Sequence, residues 1–302
     1  MYLPILGIAL LLGAPPVVVT PTSLENSYKA LQDAVAKKDA AQVKKLAAET
    51  CAMARETQKS SLPEGVEQET WDKHLAYARD IEVYTEYALF ATAVEAPAAT
   101  TVDLIVALEE QNPKSKYLDG AYGPYFVALQ QTGGGARIPA VAEKALANFP
   151  KNDDLLLVLA DNAIEHKQSD RALGYAQRLI AALNRPKPEE MTAGAWERKR
   201  GAALGRGHWI AGIVHSEKQQ YMAADQELRA SLPLIKGNDA MTAAALFNLG
   251  LANYQLGKML MRKSQVLEAV KFSEQAASIQ GPYAQQAWHN AQIMKTEAAK
   301  MR

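Results

Sequence analysis

The sequence predicts an all-α protein built from successive helical hairpins, and three observations support this fold class. Alanine is abundant and aromatic residues make up only 7% of the chain, while clusters of β-branched residues bounded by turn residues are scarce. Apolar residues recur at helical spacing between short polar breaks. The predicted hairpins are similar in length, which favours a helical-repeat architecture over other all-α folds.

Length and charge limit the classes of function. The chain has 302 residues, of which 48% are hydrophobic, enough to bury a substantial core. Lys and Arg total 33, as do Asp and Glu, so the chain lacks the basic excess that attracts nucleic acid, and we expect no nucleic-acid partner. Cys51 is the only cysteine, which excludes an intrachain disulfide and a multi-cysteine zinc site. Its small apolar neighbours predict a buried side chain.

The N-terminal segment, "MYLPILGIALLLGAPPVVVTPTS", predicts export to the periplasm or the exterior. Its apolar run, residues 3–12, is too short to span a membrane and resembles the apolar region of a secretory signal. No Lys or Arg precedes the run, and no Cys follows it within the segment. We expect cleavage within residues 14–23. An uncleaved N-terminal anchor is the alternative, and it would be the protein's only contact with a membrane.

Residues 24–150 predict a series of amphipathic helices. Ser23 and Asp39 are candidate N-caps for the first two, and Pro97 ends the third. The predicted helices cover residues 23–37, 39–60, 68–95, 100–111, 117–131 and 139–149.

The second half of the chain contains a sequence repeat. Counted from Asp153, small or apolar residues stand at positions 4, 7, 8, 11, 20, 24 and 27, namely Leu156, Leu159, Ala160, Ala163, Ala172, Ala176 and Leu179. Counted from Gly205, positions 8, 17, 20 and 24 are Gly212, Tyr221, Ala224 and Leu228. Counted from Ala243, positions 4, 7, 8, 12 and 15 are Leu246, Leu249, Gly250, Tyr254 and Gly257.

This pattern resembles the tetratricopeptide-repeat family. The resemblance implies a right-handed superhelical array of antiparallel helix hairpins, a solenoid closed by a C-terminal capping helix. We expect a signal or anchor at 1–23, divergent hairpins of the same type at 24–150, and the repeat array with its capping helix at 151–302.

Two departures from the repeat predict longer helices. Ala269 stands seven residues beyond its expected position, which adds about one turn to each helix of the third hairpin. Gly250 is then expected at a close helix contact, and Gly257 as a relic of the turn or a kink. The other departure, an insertion at residues 184–209, predicts an extended or additional helix that begins near Pro188.

No sequence motif indicates catalysis or a cofactor. The histidines lack metal-ligand spacing, and neither a phosphate-binding loop nor a serine-hydrolase motif is present, so we expect no metal, cofactor or enzymatic activity. Pairs of adjacent carboxylates are expected at solvated helix ends: Glu109 and Glu110, Asp153 and Asp154, and Glu189 and Glu190. A basic cluster is expected either on an exposed helix face or as an acceptor for an acidic partner segment: Arg198, Lys199, Arg200 and Arg206.

The resemblance also implies a site. In this family, positions 2, 5, 9, 12 and 13 of the first helices face a protein or peptide bound in the concave groove. They predict a partner-binding surface of Arg206, Trp209, Ile213, Phe247, Leu251, Tyr254, Gln255 and His289. Trp209, Phe247 and Tyr254 would form its aromatic centre. The expected function is a non-enzymatic interaction scaffold of the cell envelope. The alternative is an enzyme or small-ligand-binding protein with a pocket under residues 184–209, lined by His208 and Trp209.

Overall fold

The computed structural model describes residues 21–189 and 191–301, and in this part of the chain it is entirely helical, with 13 α-helices and no strand. Contacts divide the chain into two compact units, one ending at Ala121 and the other beginning at Tyr122. The first five helices are α1 (Pro21–Ala36), α2 (Ala40–Lys59), α3 (Gln68–Glu95), α4 (Ala98–Gln111) and α5 (Leu118–Gln131). The boundary between the units falls within α5.

The second unit continues after a 3₁₀ turn at Gly135–Arg137. Its helices are α6 (Ile138–Ala145), α7 (Asp153–Glu165), α8 (Ser169–Ala182), α9 (Ala193–Glu217), α10 (Tyr221–Ser231), α11 (Asp239–Met259), α12 (Lys263–Ser278) and α13 (Ala284–Lys300). From α6 onward each helix packs against the next one in the chain, as α1 to α4 do in the first unit. Such consecutive packing fits a helical solenoid. The predicted all-α, repeat-like architecture is confirmed at this level.

Four hairpins share one turn geometry. A non-glycine residue with a left-handed backbone, φ between 53° and 58°, follows the first helix in each: Lys38, Lys167, Gln219 and Met261. The amide that follows donates to the carbonyl oxygen five residues earlier: Asp39 to Ala34, Gln168 to Ala163, Gln220 to His215, and Arg262 to Gly257. This is the Schellman arrangement that closes a helix C-terminus. These hairpins therefore repeat in backbone geometry although their sequences differ.

The shared turn locates the extra residues of the α11–α12 hairpin. Ala160 and Gly212 each lie seven residues before the left-handed residue of their hairpin, whereas Gly250 lies eleven before Met261. Ala269 lies eight residues after Met261, where the two shorter hairpins have an alanine at five. The seven extra residues are thus divided between the helices, four in α11 and three in α12. The predicted lengthening of about one turn each is confirmed.

Most predicted helix limits agree with the structure, and two predicted starts are wrong. Asp39 is the N-cap of α2, since its carboxylate accepts from the Gln42 amide at 3.1 Å. Ser23 does not cap α1, which already begins at Pro21. The insertion forms an extended α9, but the helix begins after Thr192, whose hydroxyl accepts from the Ala195 amide. Pro188 therefore precedes this helix and does not start it.

Close approach within the hairpin explains Gly250 and Gly257, and it corrects the expectation for Gly257. A Cβ atom at Gly250 would overlap Ser273 Oγ of α12. One at Gly257 would lie 2.7 Å from Val266 Cγ2 and 2.9 Å from the Val266 backbone nitrogen. Gly257 is therefore neither a relic nor a kink, because it admits the backbone of α12 next to the turn. Both glycines support the hairpin.

The N-terminal signal or anchor prediction falls mainly on residues 1–20, which lie outside the described part of the chain. Among the described helices, none is both long and apolar enough to cross a membrane.

We predict that Gly257→Ala lowers the melting temperature more than Gly250→Ala. At Gly257 the new methyl group meets backbone, so α12 must shift, which costs about 1–3 kcal/mol. At Gly250 the closest obstacle is one hydroxyl, and the added Ala recovers up to ~1 kcal/mol of helix propensity. Thermal unfolding followed by circular dichroism measures the difference.

Ser273→Ala provides the control. Added to Gly250→Ala it removes the obstructing hydroxyl and should restore most of the lost stability, whereas Val266→Ala added to Gly257→Ala leaves the backbone nitrogen in place. Equal rescue in both pairs would contradict this account.

Candidate functional site

The odd-numbered helices of the second unit form a continuous layer. α7 contacts α9, α9 contacts α11 and α11 contacts α13, in addition to the contacts between chain neighbours. Among the described residues, the even-numbered helices α8, α10 and α12 make no comparable contacts with one another. We call the face of α7, α9, α11 and α13, together with the end of α5 that belongs to this unit, the odd-helix surface. Three of these helices, α9, α11 and α13, carry the residues of the predicted partner-binding site.

Arg206 and Trp209 join three helices of this surface. Arg206 Nε donates to Asp161 Oδ1 of α7 at 2.5 Å, and the guanidinium carbon lies 4.7 Å from the Trp209 ring centroid. Trp209 Nε1 donates to the Met241 carbonyl oxygen of α11 at 3.0 Å. The cation therefore links an aromatic ring and a carboxylate, and the pair connects α7, α9 and α11.

Asp161 is held in an environment that disfavours its charge. Burial raises the pKa of its carboxyl group, and Arg206 opposes that rise by charge attraction and by its hydrogen bond. The Asp161 and Arg206 side chains remain 34% and 25% exposed. The carboxylate thus depends on Arg206 for compensation while it stays accessible from solvent.

An open pocket of about 790 Å³ lies beside Asp161 in the second unit. Its apolar wall comes from α5, α6 and α7, principally Phe126, Val127, Ile138, Pro139 and Val158. Its polar edge is formed by Gln130, Asp161, Asn162, Glu165 and His166. Val127 is 58% exposed, which is high for an aliphatic side chain. The pocket thus combines an apolar wall with an acidic edge.

The sequence-based site did not include this pocket, although a signal for it was present. The predicted groove positions include 9 and 13, and counted from Asp153 these two positions are Asp161 and Glu165. These are the two acidic residues at the pocket edge. The apolar wall had no such signal, because Phe126 and Val127 belong to α5, which lies outside the recognisable repeats.

The other predicted residues lie on α11 and α13, and they differ in exposure. Phe247 is 8% exposed, and its ring centroid is 5.0 Å from that of Tyr283. Leu251 and Tyr254 pack against the cluster around Val266 and Met294. Gln255 is half-buried and His289 is exposed.

The predicted aromatic centre is dispersed. Ile213 is half-buried and packs, like Trp209, on the cluster that contains Leu228 and Leu249. In the described chain no ring contact joins Trp209, Phe247 and Tyr254 to one another. Of these three, Trp209 is the ring that lies close to the pocket edge, through Arg206 and Asp161.

Two expectations about charged residues are wrong. Asp153 is not at a solvated helix end: its side chain is 3% exposed, and Arg185 and Lys199 approach its carboxylate at 2.6 and 2.8 Å. Lys199 also lies 2.8 Å from Asp154. The basic cluster is therefore not a uniformly exposed face, because Lys199 and Arg206 are paired with acids of α7. Burial opposes the Lys199 charge, but Asp154 and Asp153 outweigh that effect and raise its pKa.

His208 and Trp209, the residues expected to line a pocket under the insertion, hydrogen-bond to different helices. His208 Nδ1 is 2.6 Å from Glu227 Oε2 of α10, whereas Trp209 contacts α11. Cys51 is buried as predicted, and burial raises the pKa of its thiol. Within the described ranges no group of three or more His, Cys, Asp or Glu side chains is placed to hold a metal ion.

Comparison with known proteins adds no assignment. No family model matches the chain. A search of curated proteins found none that matches it. The functional proposal therefore rests on the fold and on the odd-helix surface.

We predict that Arg206→Ala makes stability depend on the charge of Asp161. Without Arg206 the folded-state pKa of Asp161 rises further above its ordinary value of 3.8, so over that range the folded state binds more protons than the unfolded state. Stability is then lost as pH rises. The free energy of unfolding should fall by about 1 kcal/mol more at pH 7 than at pH 4, less than for a fully buried pair because both groups are partly exposed.

Urea denaturation of Arg206→Ala and of Asp161→Asn/Arg206→Ala at both pH values isolates the carboxyl group. The double variant should be the more stable of the two at pH 7 and lose that advantage at pH 4. If the difference in unfolding free energy between the two variants is the same at pH 7 and pH 4, the burial of the Asp161 carboxylate does not affect stability.

Proposed function

We propose that this protein is a non-enzymatic scaffold of the cell envelope that binds an extended protein segment along the odd-helix surface. The observation that carries the proposal is the open pocket, whose acidic edge at Asp161 continues directly into Arg206 and Trp209 of α9. A segment anchored in the pocket by an apolar side chain would meet charged and aromatic groups on the next helix. That combination is typical of interaction hot spots.

We further propose that the array is of the tetratricopeptide type, with the odd-helix surface on the inner side of a right-handed superhelix. Three features support this. The hairpin turns recur with the same geometry, small residues stand where paired helices approach closely, and successive odd helices contact each other while successive even helices do not. In a curved two-layer array the inner layer has the shorter spacing between its helices, and the contacts between successive odd helices support their assignment to that layer.

The chemistry of the pocket defines the partner segment. A volume of about 790 Å³ accommodates one or two large apolar side chains. In the described chain Glu165 forms no ion pair, so a Lys or Arg next to the apolar anchor would find a carboxylate at the pocket edge. We therefore propose a partner segment with a large apolar residue beside a basic one. The envelope location rests on the N-terminal sequence pattern alone.

The same pocket is also the size of a small-ligand site, which keeps the enzyme or ligand-binding alternative open. The two proposals differ in what the pocket contacts in the native extract: a protein chain for the scaffold, a small molecule for the alternative.

Site-specific photo-crosslinking tests the scaffold proposal. A photoreactive residue at Val127, which lines the pocket, should yield a discrete protein adduct in native envelope extract. The same residue at Met222, 71% exposed on α10, should not, because α10 belongs to the opposite layer. Adducts are detected by mass shift and identified by mass spectrometry.

Ala140→Arg supplies the specificity control. Ala140 is exposed and lines the pocket, so the longer side chain should block the pocket and reduce the Val127 adduct at least tenfold. Ala181→Arg, the same change at an exposed position on α8 outside the odd-helix surface, should leave it intact. An adduct that survives Ala140→Arg would refute the assigned surface. A small molecule displaced by Ala140→Arg, with no protein adduct, would favour the alternative.

A further inference from the structure

A continuous row of aromatic rings lies in the first unit and is not part of the proposed partner-binding surface. We define the tyrosine row as Tyr28 of α1, Tyr77, Tyr84, Tyr87 and Phe90 of α3, and Tyr117, which immediately precedes α5. Successive centroid distances are 6.3 Å for Tyr77 to Tyr28, 5.0 Å for Tyr28 to Tyr84, 5.9 Å for Tyr84 to Tyr87, 5.7 Å for Tyr87 to Tyr117 and 5.8 Å for Tyr117 to Phe90.

Part of the row is exposed along α3, the longest helix of the described chain. Tyr77 and Tyr87 are 40% and 42% exposed, and the aliphatic side chains of Val83 and Val94 on the same helix are 42% and 43% exposed. Four large apolar side chains thus reach solvent along α3, where burial would normally be expected. Tyr87 also lines an open cavity of about 500 Å³ that includes Val35 and Pro97.

The phenol groups of the row are free to bind a ligand. In the described part of the chain, none of the five tyrosine hydroxyls hydrogen-bonds a protein atom. Buried or half-buried tyrosines usually find such a partner. Burial raises the pKa of Tyr77 and of Tyr84, so both hydroxyls remain protonated hydrogen-bond donors at neutral pH.

Most of the row is not a flat stacking platform. The planes of successive rings differ by 89°, 90°, 50° and 57° over the first four contacts, and only Tyr117 and Phe90 at one end are close to parallel, at 23°. A row of sugar rings stacks on aromatic faces that are roughly coplanar, and this row offers clefts between tilted rings instead. Such clefts accept compact, non-planar apolar groups such as the pyrrolidine ring of proline.

The length and the donor pattern fit a polyproline II helix. From Tyr77 to Phe90 the row extends about 20 Å along α3, which corresponds to six or seven residues at about 3.1 Å each in polyproline II. That conformation has no internal hydrogen bonds, so its carbonyl oxygens are available to the five hydroxyl donors. Recognition of proline-rich segments by rows of aromatic residues uses this complementarity.

We propose that the tyrosine row binds a proline-rich peptide segment in the polyproline II conformation. This inference is independent of the proposed partner surface, because it concerns other residues in the other unit. The binding energy comes from proline rings packed between the tilted aromatic rings and from phenol hydrogen bonds to peptide carbonyls. Lys116, whose ammonium lies 5.1 Å from the Tyr117 ring centroid, favours an acidic residue at that end of the segment.

Titration of the full chain with an end-blocked, fluorescent decaproline peptide tests the proposal. We expect saturable binding by fluorescence anisotropy with a Kd between about 10 μM and 1 mM, typical of a short peptide on an open surface. Tyr87→Phe keeps the ring and removes one donor, so it should weaken binding about 3- to 10-fold. Tyr87→Ala should weaken it more than 10-fold. A flexible glycine-serine peptide of the same length should not bind.

Tyr221→Ala, a half-buried tyrosine on α10 outside the row, is the matched control and should bind decaproline as the unmodified protein does. Far-UV circular dichroism verifies that each variant remains folded. No saturation below 2 mM decaproline, or equal losses in Tyr87→Ala and Tyr221→Ala, would overturn the proposal. Binding of a hexamer of N-acetylglucosamine without binding of decaproline would also overturn it and would assign the row to glycans.

Discussion

The close approach of paired helices is the constraint on which the second unit depends. At Gly212, Gly250 and Gly257 the two helices of a hairpin come so near that a Cβ atom would overlap the partner helix. Each glycine costs helix propensity, about 1 kcal/mol relative to alanine, which the packing of the adjacent helices must offset. The Schellman turns then hold both helices in register. Since one hairpin cannot bury its apolar faces alone, neighbouring hairpins must stack.

Stacking has a consequence for charge. Helices that are distant in sequence, such as α7 and α9, become neighbours, and their charged residues meet at the contact. The result is two different ionic sites. Asp153 is almost fully buried between Arg185 and Lys199 and ties the extended start of α9 to α7. Asp161 and Arg206 remain partly exposed at the edge of an open pocket. The first site is a buried triad that links parts of the fold, and the second is a pair that remains accessible to solvent.

The two units present different kinds of surface. The odd-helix surface of the second unit combines a pocket, an acidic edge and an Arg206–Trp209 contact, which suits a segment that alternates apolar and charged groups. The tyrosine row of the first unit is nearly uncharged and offers hydroxyl donors between tilted rings, which suits a segment with free carbonyl groups. The two proposed surfaces therefore differ in the chemistry of the segment that each would bind.

The sequence by itself determined the local structure: helices at their apolar periodicity, the Asp39 cap, the extended α9 and the division of seven extra residues between α11 and α12. Local patterns suffice there, because helix formation depends on neighbours three or four residues away. Only the tertiary structure decided which cations pair with Asp153 and with Asp161. It alone also decided the close packing at Gly257, the pocket beside α7 and the tyrosine row. Each of these depends on residues of different helices that meet in the fold. How the helices pack decides which residues meet, and periodicity within one helix does not specify that.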